Sequence, residues 1–200
     1  MTVSDGPAMY DLLALRNGSA ELIASTRLRA GHYTQIRLIL GAGSYLMVNG
    51  LPVSLEVASG FETGVKLNHQ FTIEEDRTYA ITLDFDAERS LVPSGLSFRL
   101  KPVISIFVNE TSGSVSGTVL PAAARARVTV LAGTDTVTTT VCEDSSGYFK
   151  FPAIQEGTYS LGISATTPGL YQDTVLTNVN VVRHEETSVG TVSLNESVGQ

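Results

Sequence analysis

Tryptophan is absent from these 200 residues, cysteine occurs once, and cations are few. Each shortage excludes something. With Cys142 as its sole cysteine the chain makes no internal disulfide, and cysteine usage leaves the redox compartment open. Lys and Arg total 13 against 20 Asp and Glu, a net charge of -7 with a pI near 4.9. The cations are scattered, whereas a phosphate backbone demands clustered ones, so no nucleic-acid partner is expected. The longest apolar runs, "LIL" and "VISIFV", fall far short of the roughly 20 residues that cross a bilayer, so no transmembrane segment is expected. The opening "MTVSDGPAMYDLL" lacks the basic, apolar and small-residue regions of a signal peptide, which implies a cytosolic chain or an export signal upstream of Met1.

What is present is strand signal. The 42 % hydrophobic residues suffice for a buried core. Val, Ile, Thr, Tyr and Phe recur with period two between Gly, Asn, Asp and Pro, and no amphipathic helix stands out. In the first half the alternation predicts strands over 21–26, 33–40, 44–48, 51–57, 65–73, 78–85 and 96–108. Asn49-Gly50, between two apolar runs, is a strong hairpin signal because a type I′ turn takes positive φ at both central residues. "YDLLALRNG" reads equally as a strand or a helical turn.

From Ser114 on, "SVSGTVL", "RVTVLAG", "TVTTTVCE", "YFKFPAI", "GTYSLGISA", "DTVLTNVNVV" and "TSVGTVSL" give seven short strands, the spacing of a small β-sandwich. Alternation turns Val128, Val130, Phe149, Phe151, Tyr159, Leu161 and Ile163 toward one core and Thr129, Lys150 and Ser160 toward water. The polar "NETSG" at 109–113 reads as a linker, dividing the chain into domains over 1–108 and 114–200. The expected fold class is all-β, two β-sandwich domains.

"SSGYFKFPAIQEGTYSLGIS" packs two turns and two strands into one stretch. Gly147 supplies positive φ, Phe149 and Phe151 follow at core spacing, and Tyr159 starts a strand with its hydroxyl directed to a backbone group or water. "DRTYAITLDF" places Tyr79, Ile81, Leu83 and Phe85 on one face in the same way, and so reads as its echo. In "AGHYTQIRLIL" the shared Gly-x-Tyr has Tyr33 at opposite parity to Ile36, Leu38 and Leu40. That match requires an outward tyrosine or a bulge.

The run "GSVSGTV", "ARVTVLAG", "DSSGYFKFPAIQEGTYSLGISA" and "NVNVVRHEETSVGTVSL" resembles the carboxypeptidase regulatory-like domain over residues 114–194. The resemblance implies a seven-stranded transthyretin-like Greek-key sandwich, a non-catalytic accessory of secreted or surface proteins, grouped by fold with carbohydrate-binding-like domains. "YDLLALRNGSAELIAS", "LRAGHYTQIRLIL", "YLMVNGLPVSLEV", "TGVKL" and "ITLDFDAERSL" are similar to the bacterial domain of unknown function 4382 (DUF4382), from about Thr2 to Phe107. That family begins with a further pair of strands, so the resemblance implies an N-terminally truncated copy. It also implies an exported or lipid-anchored protein, with an exposed sheet edge open to a second copy of the chain.

No catalytic constellation is present. His32, His69 and His184 lie apart with no H-x-x-H spacing, "GSVSG" has Val where a nucleophile elbow has Ser, and no phosphate-binding glycine loop occurs. The acids of "LDFDAERS", Asp84, Asp86 and Glu88, offer oxygen ligands for calcium, weighed against solvated acids on a strand whose inner face is Ile81, Leu83 and Phe85. Glycan recognition would fall to the exposed rings Tyr148 and Tyr171. Lys150, the only lysine of the second half, alternates outward, which argues against a Lys–Asn cross-link. The expectation is a non-enzymatic extracytoplasmic interaction module with a protein or glycan partner at the cell envelope and no required cofactor. A carbohydrate-binding module and a calcium-dependent adhesion module are the alternatives.

Overall fold

The computed structural model describes residues 8–41, 43–57, 64–95 and 97–197. Strands dominate, and the fold is all-β. The chain divides into two compact units, one of Met1–Leu13, Glu21–Thr78 and Phe85–Ile106, the other of Ala14–Ala20, Tyr79–Asp84 and Phe107–Gln200. Residues 109–113, read above as a linker, are a short helical turn running into a strand, with Ser112 and Gly113 buried.

In the first unit β1 (Gly31–Leu38) pairs antiparallel with β4 (Val65–Ile73). A second sheet has the order β2 (Tyr45–Val48), β3 (Leu51–Val57), β7 (Ser97–Leu100), β6 (Leu91–Ser94), with β3 and β7 parallel. The β2–β3 hairpin turns at Asn49 and Gly50, whose φ of 51° and 80° are the two positive values a type I′ turn takes. One helical turn, α1 (Ala87–Ser90), precedes β6, and β5 (Ile81–Phe85) forms with β8 (Ile104–Val108) a ribbon whose residues are divided between the two units.

Two predicted elements changed. The strand expected over 21–26 is irregular, with Leu22 80 % exposed, because a period-two pattern becomes a strand only where its backbone finds a ladder partner. The strand expected over 96–108 breaks into β7 and β8. Pro102 has no N–H for a ladder, and Ser90 captures both neighbours: Lys101 N donates to its carbonyl at 2.8 Å and Val103 N to its Oγ at 2.8 Å. "YDLLALRNG" resolves into turns, not a strand.

The second unit contains β9 (Ser112–Leu120), β10 (Arg127–Ala132), β11 (Asp135–Val141), β12 (Tyr148–Gln155), β13 (Gly157–Ser164), β14 (Thr174–Val181) and β15 (Glu186–Ser193). They form sheets of order β11-β10-β13-β14 and β12-β9-β15, all antiparallel except β9 with β15. The expected core residues Val128, Val130, Phe149, Phe151, Leu161 and Ile163 are buried in one cluster fed by both sheets, with Tyr159 packed on it. The turn before β12 needs glycine: Gly147 has φ 72°, and a Cβ there would stand 2.1 Å from the Val119 carbonyl oxygen.

The Gly-x-Tyr stretch at Gly31, not "DRTYAITLDF", is the echo of the Gly157 stretch. Tyr79 precedes β5 and starts no strand. Gly31 and Gly157 each begin a strand at φ 152° and 156°. Tyr33 Oη donates to the Arg29 carbonyl at 2.8 Å, as Tyr159 Oη does to the Gln155 carbonyl at 2.9 Å, each four residues back. In each pair the register then slips, and the partner strand carries the extra residue. Tyr33 to Gln35 is opposed by Phe71 to Asn68, and Tyr159 to Leu161 by Val179 to Leu176, two steps against three both times.

Candidate functional site

Titratable side chains converge on the face of β12-β9-β15 opposite the core. Alternation there sets Lys150 directly across from Ser116, with Glu186 on the next strand. Lys150 Nζ donates to Glu186 Oε2 at 2.6 Å, and Ser116 Oγ donates to Glu186 Oε1 at 2.5 Å. The bond from Glu186 raises the Lys150 ammonium above its ordinary range, and Lys150 followed by Ser116 holds the Glu186 carboxyl below its own. Lys150 therefore stays protonated, and a protonated amine is not a nucleophile.

The segment Ala14–Ala20 lies against this face. Asn17 Oδ1 accepts from Lys150 N at 3.4 Å and from Thr140 Oγ1 at 3.5 Å, while its amide nitrogen is buried without a hydrogen-bond partner among the described residues. Gly18 follows at φ 92°, with the Lys150 Cδ 3.2 Å from where a Cβ would stand. Sequence reading sent Lys150 to open water. Its side chain is only 27 % exposed, because alternation reports the face of a strand but not what covers that face. The signal available was Glu186, the only acid of β15.

Glu186 also borders a shallow pocket of about 320 Å³ among Asn109, Ser114, Pro152, His184 and Glu185. His32 faces Thr72 Oγ1 at 3.3 Å across β1 and β4, and His69 stacks on Phe71 at 6.3 Å.

The acidic trio is not gathered. The described residues contain no group of three His, Cys, Asp or Glu that would hold a metal ion. Asp84 accepts from the Thr138 hydroxyl. Asp86 caps α1, Oδ1 accepting from Arg89 N at 2.9 Å, with the Arg89 guanidinium 3.8 Å from Oδ2. Glu88 is exposed in the first turn of that helix. Of the two rings expected to carry a glycan, Tyr171 packs against the core and Tyr148 is half-buried at the start of β12. Burial pushes the Cys142 thiol up to about 12, which leaves it no thiolate at neutral pH.

The first unit carries the identity. It is a domain of small β-sheets. The chain is a member of the family described as "Domain of unknown function (DUF4382)", whose model matches residues 1–102. No curated protein matches it. Among solved structures it is similar to two mutants of a type II cohesin–X-dockerin complex from Acetivibrio cellulolyticus. The C-terminal-interface mutant is 22 % identical, covering 41 % of this chain and 56 % of that one at a TM-score of 0.31. The N-terminal-interface mutant is 23 % identical, covering 42 % and 58 % at 0.31. The matches thus span little more than half of those chains. Among the described residues no helix is long and apolar enough to cross a membrane.

Proposed function

We propose that this chain is a non-catalytic interaction module of the bacterial cell envelope, its second unit a carboxypeptidase regulatory-like domain of transthyretin-like topology. The strand order β11-β10-β13-β14 over β12-β9-β15 supports the topology. One observation carries the functional reading. Where ionisable groups converge, Lys150, Glu186 and Ser116 saturate one another at 2.5 to 2.6 Å and brace three strands together, leaving no free base beside a nucleophile.

Co-sedimentation with insoluble bacterial envelope preparations tests it. Saturable pelleting of the full chain is expected, unchanged by Glu186→Gln. A chain that stays in the supernatant and instead turns over ester, peptide or glycoside substrates, with Glu186→Gln abolishing turnover, contradicts it.

A further inference from the structure

One face of the β1–β4 ribbon is built unlike the rest of this acidic chain. Residues Gly31–Leu38 and Val65–Ile73 contain no Asp or Glu. Cross-strand partners on that face are Tyr33 with Phe71, Gln35 with Asn68 and Arg37 with Lys66. The slipped register is what sets Phe71 beside Tyr33, their rings stacked at 5.5 Å and 13°. Gln35 Nε2 donates to Asn68 Oδ1 at 2.8 Å, and Arg37 Nε donates to Gln35 Oε1 at 2.9 Å, so the guanidinium is aimed along the face.

Arg37 and Lys66 are both exposed and directly opposed, and among the described residues no carboxylate pairs with either. Arg77, Arg89, Arg99, Arg125 and Lys150 each lie within 4 Å of an acid, at 2.9, 3.8, 3.6, 2.9 and 2.6 Å, and among the described strand registers no other two cations stand directly opposite one another. Like charges directly opposite destabilise a sheet, and a bound anion relieves that repulsion. Aromatic pair, amides and cations lie in sequence along about 13 Å of strand, room for more than one sugar ring.

We infer that this face binds an acidic polysaccharide. Arg37 and Lys66 hold a uronate carboxylate, the Arg37 guanidinium in the fork geometry that suits it, the amide donors of Asn68 meet ring hydroxyls, and a sugar face lies on the Tyr33–Phe71 pair. Two cations are too few to track a phosphate backbone, and the side-chain amides beside them can meet the ring hydroxyls that a uronate polymer carries and an acidic peptide chain lacks, so a uronate polymer fits best. The inference rests on the interaction-module reading and names its partner class.

Calorimetric titration of the full chain with polygalacturonate tests it, beside dextran, poly-L-glutamate and poly(U). Saturable, salt-weakened binding to polygalacturonate is expected, with none to dextran and weaker binding to the other two polyanions. Arg37→Gln with Lys66→Gln should weaken it roughly tenfold or more. That double variant should melt no lower than the parent, since it removes opposed like charges, which separates lost binding from lost folding. Absent binding, binding indifferent to the double variant, or equal binding to poly(U) or poly-L-glutamate overturns the site. If envelope co-sedimentation persists in that case, only the site falls. If it too is absent, the module reading falls with it.

Discussion

Tyr33 and Tyr159 begin their strands with one device, a glycine near φ 150° and a hydroxyl bonded four residues back, yet their rings serve opposite ends. On β13 the tyrosine shares a face with Leu161 and Ile163 and packs on a core where both are essentially inaccessible. On β1 it shares a face with Gln35 and Arg37 and stacks on Phe71. The device fixes how a strand is entered, not which side meets the core. What decides the side is the residue pattern that follows, with an extra residue on the partner strand reconciling the two registers.

Three pairs of substitutions break or sharpen that comparison. The largest effect is expected from Tyr159→Ala, which empties a ring's volume beside the core and should cost about 3 kcal/mol in urea unfolding, against about 1 for Tyr33→Ala. Equal losses would erase the distinction. Next, Gly157→Ala should cost about 2 kcal/mol, because its φ is unfavourable for alanine and the new Cβ would stand 3.3 Å from the Tyr159 ring. Gly31→Ala should cost less: it meets the same backbone penalty, with nothing within 4 Å. Removing only the hydroxyls, by Tyr33→Phe and Tyr159→Phe, should cost about 0.5 kcal/mol each, the low end of the net worth of one hydrogen bond, because both bonds are exposed.

The Lys150–Glu186 pair has no counterpart on the β1–β4 ribbon, and pH separates the two. Glu186 titrates below its ordinary 4.5 in the folded protein, so its contribution is present above that value and lost as pH falls through the depressed one. Lys150 titrates above 10.5, so its contribution is present below that value and lost as pH rises through the raised one. Glu186→Gln should therefore flatten the acid limb of the melting profile, whereas Arg37→Gln should leave that limb unchanged. The smallest effect is expected of calcium. With Asp84 and Asp86 engaged by Thr138 and Arg89, its addition or chelation should leave Tm unmoved, and a reproducible shift would reinstate the acidic trio as a site.

The seven strands from β9 to β15 were legible in the sequence because each alternates between strong turn residues, Gly147 and Gly157 among them. Tyr159 was read as a core-side ring whose hydroxyl goes to a backbone group or water, and its acceptor is the Gln155 carbonyl. Three kinds of feature were not legible. Ser90 capturing both sides of Pro102 is a contact across a turn, and no local period encodes it. The slip that brings Phe71 to Tyr33 belongs to a pair of strands, whereas alternation is a property of one. Asn17 beside Lys150 joins residues 133 apart in sequence. For the same reason the surroundings of the acidic trio were not legible: the three are near in sequence, while the fold gives Asp86 to a helix cap and Asp84 to Thr138.

The most direct test is a crossed measurement on Tyr33→Ala and Tyr159→Ala in the full chain, with urea unfolding and polygalacturonate titration applied to both. Tyr159→Ala should show the larger loss of stability and keep the parent affinity under conditions where it is folded. Tyr33→Ala should keep most of the stability and lose the affinity. Losses of stability that match, together with an affinity for the polyuronate that neither substitution changes, would contradict the assignment of one tyrosine to the core and the other to a ligand.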